Sequence, residues 1–141
     1  MKRIIIAVLC ALGLVSALDA QEEKGVMTLS SKEFKTKVYD ISAKNPEYLG
    51  SKPAIVDFYA SWCGPCRAIS PVLEELAKEY GDKIVIYKVD VDASRDIAQA
   101  FGIRSIPAVL FIPMKGEAQM TVGGRSKEDF KKQIDTILLG K

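Results

Sequence analysis

Histidine is absent from this chain, cysteine occurs three times in 141 residues, and the one long uncharged apolar run is confined to the first 20 positions. Each scarcity excludes something. A structural zinc site needs four Cys or His ligands, so without histidine only a site shared between chains would remain, and no metal or other cofactor is expected. Positive charge is not concentrated either. The formal net charge is +2 and lysines alternate with glutamates and aspartates, so the electrostatic footprint of a nucleic-acid binder is missing. At 48% apolar and 27% charged residues, 141 positions suffice for one ordinary core and are too few for two.

The apolar run has the order of a signal peptide. Lys2 and Arg3 precede 15 uncharged residues from Ile4 to Leu18, followed by Asp19, Ala20 and the polar stretch Gln21 to Gly25. That run falls short of the roughly 20 residues a membrane-spanning helix needs, which disfavours the competing reading of an uncleaved anchor. Cleavage is expected after Ala17 or Ala20; the first cut has Val15 three positions upstream, the second the bulkier Leu18. Lipid attachment at Cys10 fits poorly, since Leu9 stands where a small residue is wanted. Residues 1–20 are therefore read as a leader and 21–141 as a single exported domain. Either cut removes Cys10 and leaves Cys63 and Cys66, so no disulfide framework is possible and their bond is available for chemistry.

Periodicity supplies the elements. Ser30-x-x-Glu33 has the form of a capping box, and Phe34, Val38 and Ile41 follow at helical spacing, predicting a helix from about Ser31 to Ala43. Ala54 to Tyr59 reads as a strand buried on both faces despite Asp57, and Pro65 to Tyr80 as an amphipathic helix kinked at Pro71. Ile84 to Val91 is a second strand; Ala93 to Phe101 is a short helix capped by Asp92 or Ser94 and ended by Gly102. Ala108 to Ile112 and Gln119 to Val122 flank the turn signal Pro113 to Gly116 as an antiparallel hairpin, and Ser126-x-x-Asp129 opens a last helix. A short strand near Val26 to Leu29 completes an α/β pattern: a central mixed sheet with helices on both faces.

Disulfide exchange needs a thiolate attacker and a second thiol close enough to resolve the mixed disulfide. Cys63 sits where a strand ends and a helix begins, so unsatisfied amides and the helix dipole favour its thiolate; Cys66, three residues on, returns to the same face but is more enclosed. Pro65 suits the first helical turn, and Gly64 lets a substrate approach the sulfur. Asp57 in a buried strand should carry a raised pKa or a partner, for which Lys88 is the candidate. An ordinary outward-facing placement of both remains open on the residues alone.

Val56-Asp57-Phe58-Tyr59-Ala60-Ser61-Trp62-Cys63-Gly64-Pro65-Cys66-Arg67, followed by Gly102-Ile103-Arg104-Ser105-Ile106-Pro107, resembles the thioredoxin family over roughly Met27 to Leu139. The resemblance implies a thioredoxin fold in which Cys63 is the nucleophile, Cys66 resolves, and Ile106-Pro107 is a cis peptide facing the sulfurs. It further implies that Asp57 moves the Cys66 proton through water while Lys88 tunes Asp57. Trp62, Gly64, Pro65, Ile106, Pro107, Val122 and Gly123 would form a shallow apolar patch on which an extended client segment pairs with the Ile106 backbone. Tyr59 departs from a frequent tryptophan, Ser105 from a glycine and Ala108 from a threonine, and the link Asn45 to Lys52 is longer than in compact members.

The function implied is reduction of disulfides in exported proteins by a monomer in the bacterial periplasm, recharged by a membrane-borne electron donor. The Gly-Pro dipeptide between the cysteines adds no cation to the helix terminus, so the thiolate gains little and the protein should be a reductant. Two other readings stay open at this point: an oxidase that donates disulfides, and a redox-silent binding subunit on the same scaffold. The leader is expected to give a mature protein starting just after Ala17 or Ala20. Intact-mass analysis from the native host checks this, and a soluble cytoplasmic form running from Met1 to Lys141 would reverse it.

Overall fold

The computed structural model describes residues 25–141; the leader and its cleavage sites lie outside them. Strand β1 (Val26–Thr28) leads into helix α1 (Ser31–Lys37), strand β2 (Ala54–Tyr59), helix α2 (Gly64–Tyr80), strand β3 (Val85–Asp90) and helix α3 (Arg95–Ala100). Strands β4 (Ala108–Ile112) and β5 (Gln119–Val122) and helix α4 (Lys127–Gln133) follow, the last running on into a π-helical turn, Ile134–Leu138. The five strands lie in the order β1-β3-β2-β4-β5. Those on the β1 side of β2 are parallel, and β4 and β5 run against their neighbours, so the sheet is mixed as the alternation of elements requires.

Side chains alternating along β2 divide the core in two. Ala54, Val56 and Phe58 face one side with Phe34 and Val38 at α1 and Ile97 of α3. Ile55 faces the other with Ile69, Leu73 and Leu76 of α2 and Phe130 of α4. This gives the thioredoxin fold expected from the sequence: a central sheet covered by helices on both faces. Among the described residues no helix is long and apolar enough to cross a membrane.

Two local expectations are revised. The first helix stops at Lys37, not Ala43, because backbone pairing further on claims its next groups. The Val38 carbonyl accepts the Leu49 N–H at 2.9 Å, and Tyr39 forms an antiparallel bridge with Tyr48. Ile41, which extended the helical spacing, reaches the same core from a loop. The link Asn45 to Lys52 is thus folded back on the end of α1, with the Tyr48 hydroxyl donating to the Lys52 carbonyl at 2.6 Å. Helix α3 begins at Arg95, and Ser94 makes no side-chain capping bond; the turn before it is held by Asp90, whose Oδ1 accepts the Asp92 N–H at 2.8 Å. Helix α2 continues through Pro71, whose ring nitrogen leaves the Arg67 carbonyl without its i+4 donor.

The capping box at α1 forms as read. Ser30 Oγ accepts the Glu33 N–H at 3.2 Å and Glu33 Oε2 accepts the Ser30 N–H at 2.8 Å. Losing it through Ser30→Ala should cost about 1 kcal/mol. Leu73→Ala, in the fully buried seam between α2 and the sheet, should cost roughly 2–5 kcal/mol. Urea unfolding checks both: the midpoint should fall far more for Leu73→Ala, at an unchanged slope.

Candidate active site

Strand β2 ends at Tyr59, three residues short of Trp62, and the chain turns directly into α2. The turn is closed by the Cys63 N–H donating to the Ala60 carbonyl at 3.2 Å. Cys63 is the N-cap of α2, with extended backbone at φ −84° and ψ 112°, so it stands where helix amides lack intrahelical acceptors. Its Sγ accepts the Cys66 N–H at 3.2 Å. Cys63 and Cys66 form a disulfide across a Cα–Cα distance of 5.3 Å. Both cysteines are buried, at 5% and 2% exposure, so accessibility separates them less than the sequence implied. What distinguishes them is the amide aimed at the first sulfur.

The surroundings come from four loops and strand ends. Ile106-Pro107 is a cis peptide, and the Ile106 carbonyl oxygen lies 3.9 Å from Cys63 Sγ. Ala60, Tyr59, Val91 and Ile106 pack around the sulfurs. The Gly123 N–H donates to the Pro107 carbonyl at 2.9 Å, and Val122, paired with Ala108, is 55% exposed beside it. Trp62 is 67% exposed, yet its Nε1 donates to Asp92 Oδ2 at 2.8 Å, which ties the indole to the turn before α3. Apart from its chain neighbours and its own helix backbone, no atom of the described residues lies within 4 Å of where a side chain on Gly64 would begin, so that position is open above the site. Pro65 occupies the first turn of α2, as its missing N–H suits.

Asp57 shares the α2 side of β2 with Ile55, by alternation. It is fully buried, and neither carboxyl oxygen has a hydrogen-bond partner among the described residues. Burial therefore pushes its pKa up from 3.8 to about 7, against an opposing pull from the Lys88 charge. Lys88 is the β3 residue in register with Asp57, as the sequence suggested. It does not close an ion pair: Nζ donates to Ser70 Oγ at 3.1 Å and sits 4.3 Å from the centre of the Tyr59 ring.

Sequence reasoning missed two participants. Ser70 lies one helical turn past Cys66, a polar residue on a face otherwise directed at the sheet, and that spacing was a usable signal. Asp92 was read only as a helix cap; nothing in its local sequence pairs it with Trp62 across a separation of 30 residues.

Making and breaking the Cys63–Cys66 bond is the covalent chemistry this arrangement offers, which defines the protein as a thiol-disulfide oxidoreductase. Residues 25–136 match the family model Thioredoxin, and the chain belongs to that family. It is 42% identical over 109 residues to the thioredoxin of Borreliella burgdorferi, covering 77% of this chain and 93% of that one. It is 43% identical over 91 residues to the chloroplastic thioredoxin M-type of Pisum sativum, covering 64% of this chain but spanning about half, 53%, of that relative. The crystal structure of chloroplastic thioredoxin z superposes with a TM-score of 0.67 at 26% identity, over 80% of this chain and 94% of that one.

The raised pKa of Asp57 has a stability consequence of definite sign. From roughly pH 4, where the unfolded chain releases this proton, up to about 7 the folded protein still holds it. Stability falls across that window as pH rises and is level above it. Asp57→Asn should abolish the fall and be more stable above pH 7 by on the order of 2–4 kcal/mol. Urea unfolding of the oxidised proteins at a series of pH values checks this; parallel profiles would refute it.

Proposed function

We propose that this thioredoxin-family protein reduces disulfides in proteins exported to the bacterial periplasm, with Cys63 as nucleophile and Cys66 as resolving cysteine. The observation that carries the role assignment is the Cys66 N–H directed at Cys63 Sγ at the N-terminus of a 17-residue helix. That amide and the helix terminus stabilise negative charge on the first sulfur.

In the reduced protein the Cys63 thiolate attacks one sulfur of a client disulfide. A bond forms between Cys63 and the client, and the second client sulfur leaves as a thiolate. Cys66 then loses its proton and attacks Cys63 Sγ, which restores the internal disulfide and releases the first client sulfur. Two electrons pass from the dithiol to the client. Asp57 is the acceptor for the Cys66 proton. Its place on the face that α2 covers supports this, and a carboxyl poised at about 7 can both take and return a proton near neutral pH.

The exposed Trp62 and Val122, with Gly64, Pro65, Gly123 and the Ile106-Pro107 peptide, offer a client segment an apolar surface beside the sulfurs. Export rests on the leader order of residues 1–20. A reductant in that compartment requires a membrane-borne donor to return it to the dithiol state; a monomer suffices for every step above.

Cys66→Ser should accumulate mixed disulfides with exported proteins through Cys63, while Cys63→Ser traps none and loses activity in a dithiol-driven insulin turbidity assay. In the reduced protein Cys63 should alkylate much faster than Cys66 near neutral pH. Equal rates would overturn the role assignment. A reduction potential near the roughly −120 mV of a strong disulfide donor, measured in glutathione buffers, would overturn the reductase direction.

A further inference from the structure

Lys88 and Asp57 stand side by side in the β2–β3 ladder, on the face covered by α2. A buried carboxyl with no hydrogen-bond partner beside a lysine of that reach should draw the ammonium in, because a charge-assisted bond outweighs one to a neutral hydroxyl. The ammonium instead lies between Ser70 Oγ, 3.1 Å away, and the face of the Tyr59 ring, 4.3 Å from its centre. Both Asp57 oxygens are left unbonded. Two neutral groups, one on α2 and one on β2, thus hold a cation away from its natural partner.

We infer that Ser70 is a positioning residue: its hydroxyl, together with the Tyr59 ring, holds the Lys88 ammonium off the Asp57 carboxyl and keeps that carboxyl available to take up a proton. The consequence for turnover rests on the proton-acceptor role of Asp57 proposed above; the positioning itself does not. Among the described residues, Lys88 is the cation whose charge acts on Asp57. On the same face β3 carries Asp90, whose charge acts on Tyr59; β4 presents the apolar Val109 opposite Asp57; α2 and its N-cap contribute the sulfurs of Cys66 and Cys63. Strand β1 supplies Thr28, which sits in register with Lys88. With Ser70 Oγ removed, the Asp57 carboxyl, in register with Lys88 and without a donor of its own, is an acceptor open to the ammonium.

The test follows the Asp57 carboxyl carbon by NMR titration of the reduced protein, in wild type, Ser70→Ala, Ser70→Thr, Lys88→Met and the Ser70→Ala/Lys88→Met double variant. Ser70→Ala should lower the Asp57 midpoint by about one pH unit, the low end of what a close cation does to a carboxyl. Ser70→Thr retains the hydroxyl and should restore the wild-type midpoint. In the Lys88→Met background Ser70→Ala should shift nothing, since the effect passes through the ammonium. A midpoint unchanged or raised in Ser70→Ala, or a shift that persists without Lys88, overturns the inference. The pH profile of mixed-disulfide resolution in the same variants separates the two claims: a carboxyl midpoint that moves while the profile stays still upholds the positioning and refutes the proton role.

Discussion

Strand β2 is hydrogen-bonded along both edges, to β3 on one side and β4 on the other, and is covered by helices on both faces. Its backbone is fixed by both ladders, and every side chain but that of Tyr59 is buried from water. Everything distinctive about the site follows from that confinement. Asp57, fourth in the strand, is buried because its backbone position is dictated by two ladders, and desolvation then outweighs the pull of Lys88 on its proton. The end of the strand is equally constrained, so the chain leaving Tyr59 has one short turn in which to begin α2. Cys63 becomes the N-cap of that helix as a result.

The same confinement ties the redox pair to loops distant in sequence. Because β4 pairs directly with β2, the cis peptide that precedes β4 is delivered beside the sulfurs, and β5, paired with β4, brings Val122 and Gly123 to the same edge. Strand β3, on the other flank, ends in the turn that presents Asp92 to Trp62. A surface assembled from strand ends of one rigid sheet needs little reorganisation to bind, which favours the proposed pairing with an extended client segment.

Charge inside the site is balanced by placement as much as by number. Asp57 and Lys88 could form a buried ion pair, which would lower the carboxyl pKa and commit the proton elsewhere. The observed division, with the ammonium on a hydroxyl and an aromatic face, leaves the carboxyl neutral at mildly acidic pH and able to cycle near neutrality. Tyr59, which stands where the family often has tryptophan, supplies that face here.

Periodicity and short motifs determined a large part of this protein. The hairpin strands Ala108–Ile112 and Gln119–Val122 carry the predicted bounds, and both Ser-led helix starts cap as read, because capping, turns and alternation are set by neighbours within a few residues. The Cys63-Gly64-Pro65-Cys66 pair was legible for the same reason: its chemistry depends on a strand-to-helix turn that the local pattern announces. Where the first helix stops was decided by tertiary structure, since Tyr39 and Val38 are claimed by Tyr48 and Leu49 across the loop, which no helical spacing encodes. So was the company each site residue keeps. The sequence could name Lys88 as a candidate partner for Asp57, but their register in the ladder, and the choice of the ammonium between a carboxyl, a hydroxyl and a ring, depend on how the strands pair and how α2 lies on the sheet. The Trp62–Asp92 bond is of the same kind. Local interactions select the elements; three-dimensional packing selects which polar groups meet, because that selection is made by ångström-scale distances between residues far apart in the chain.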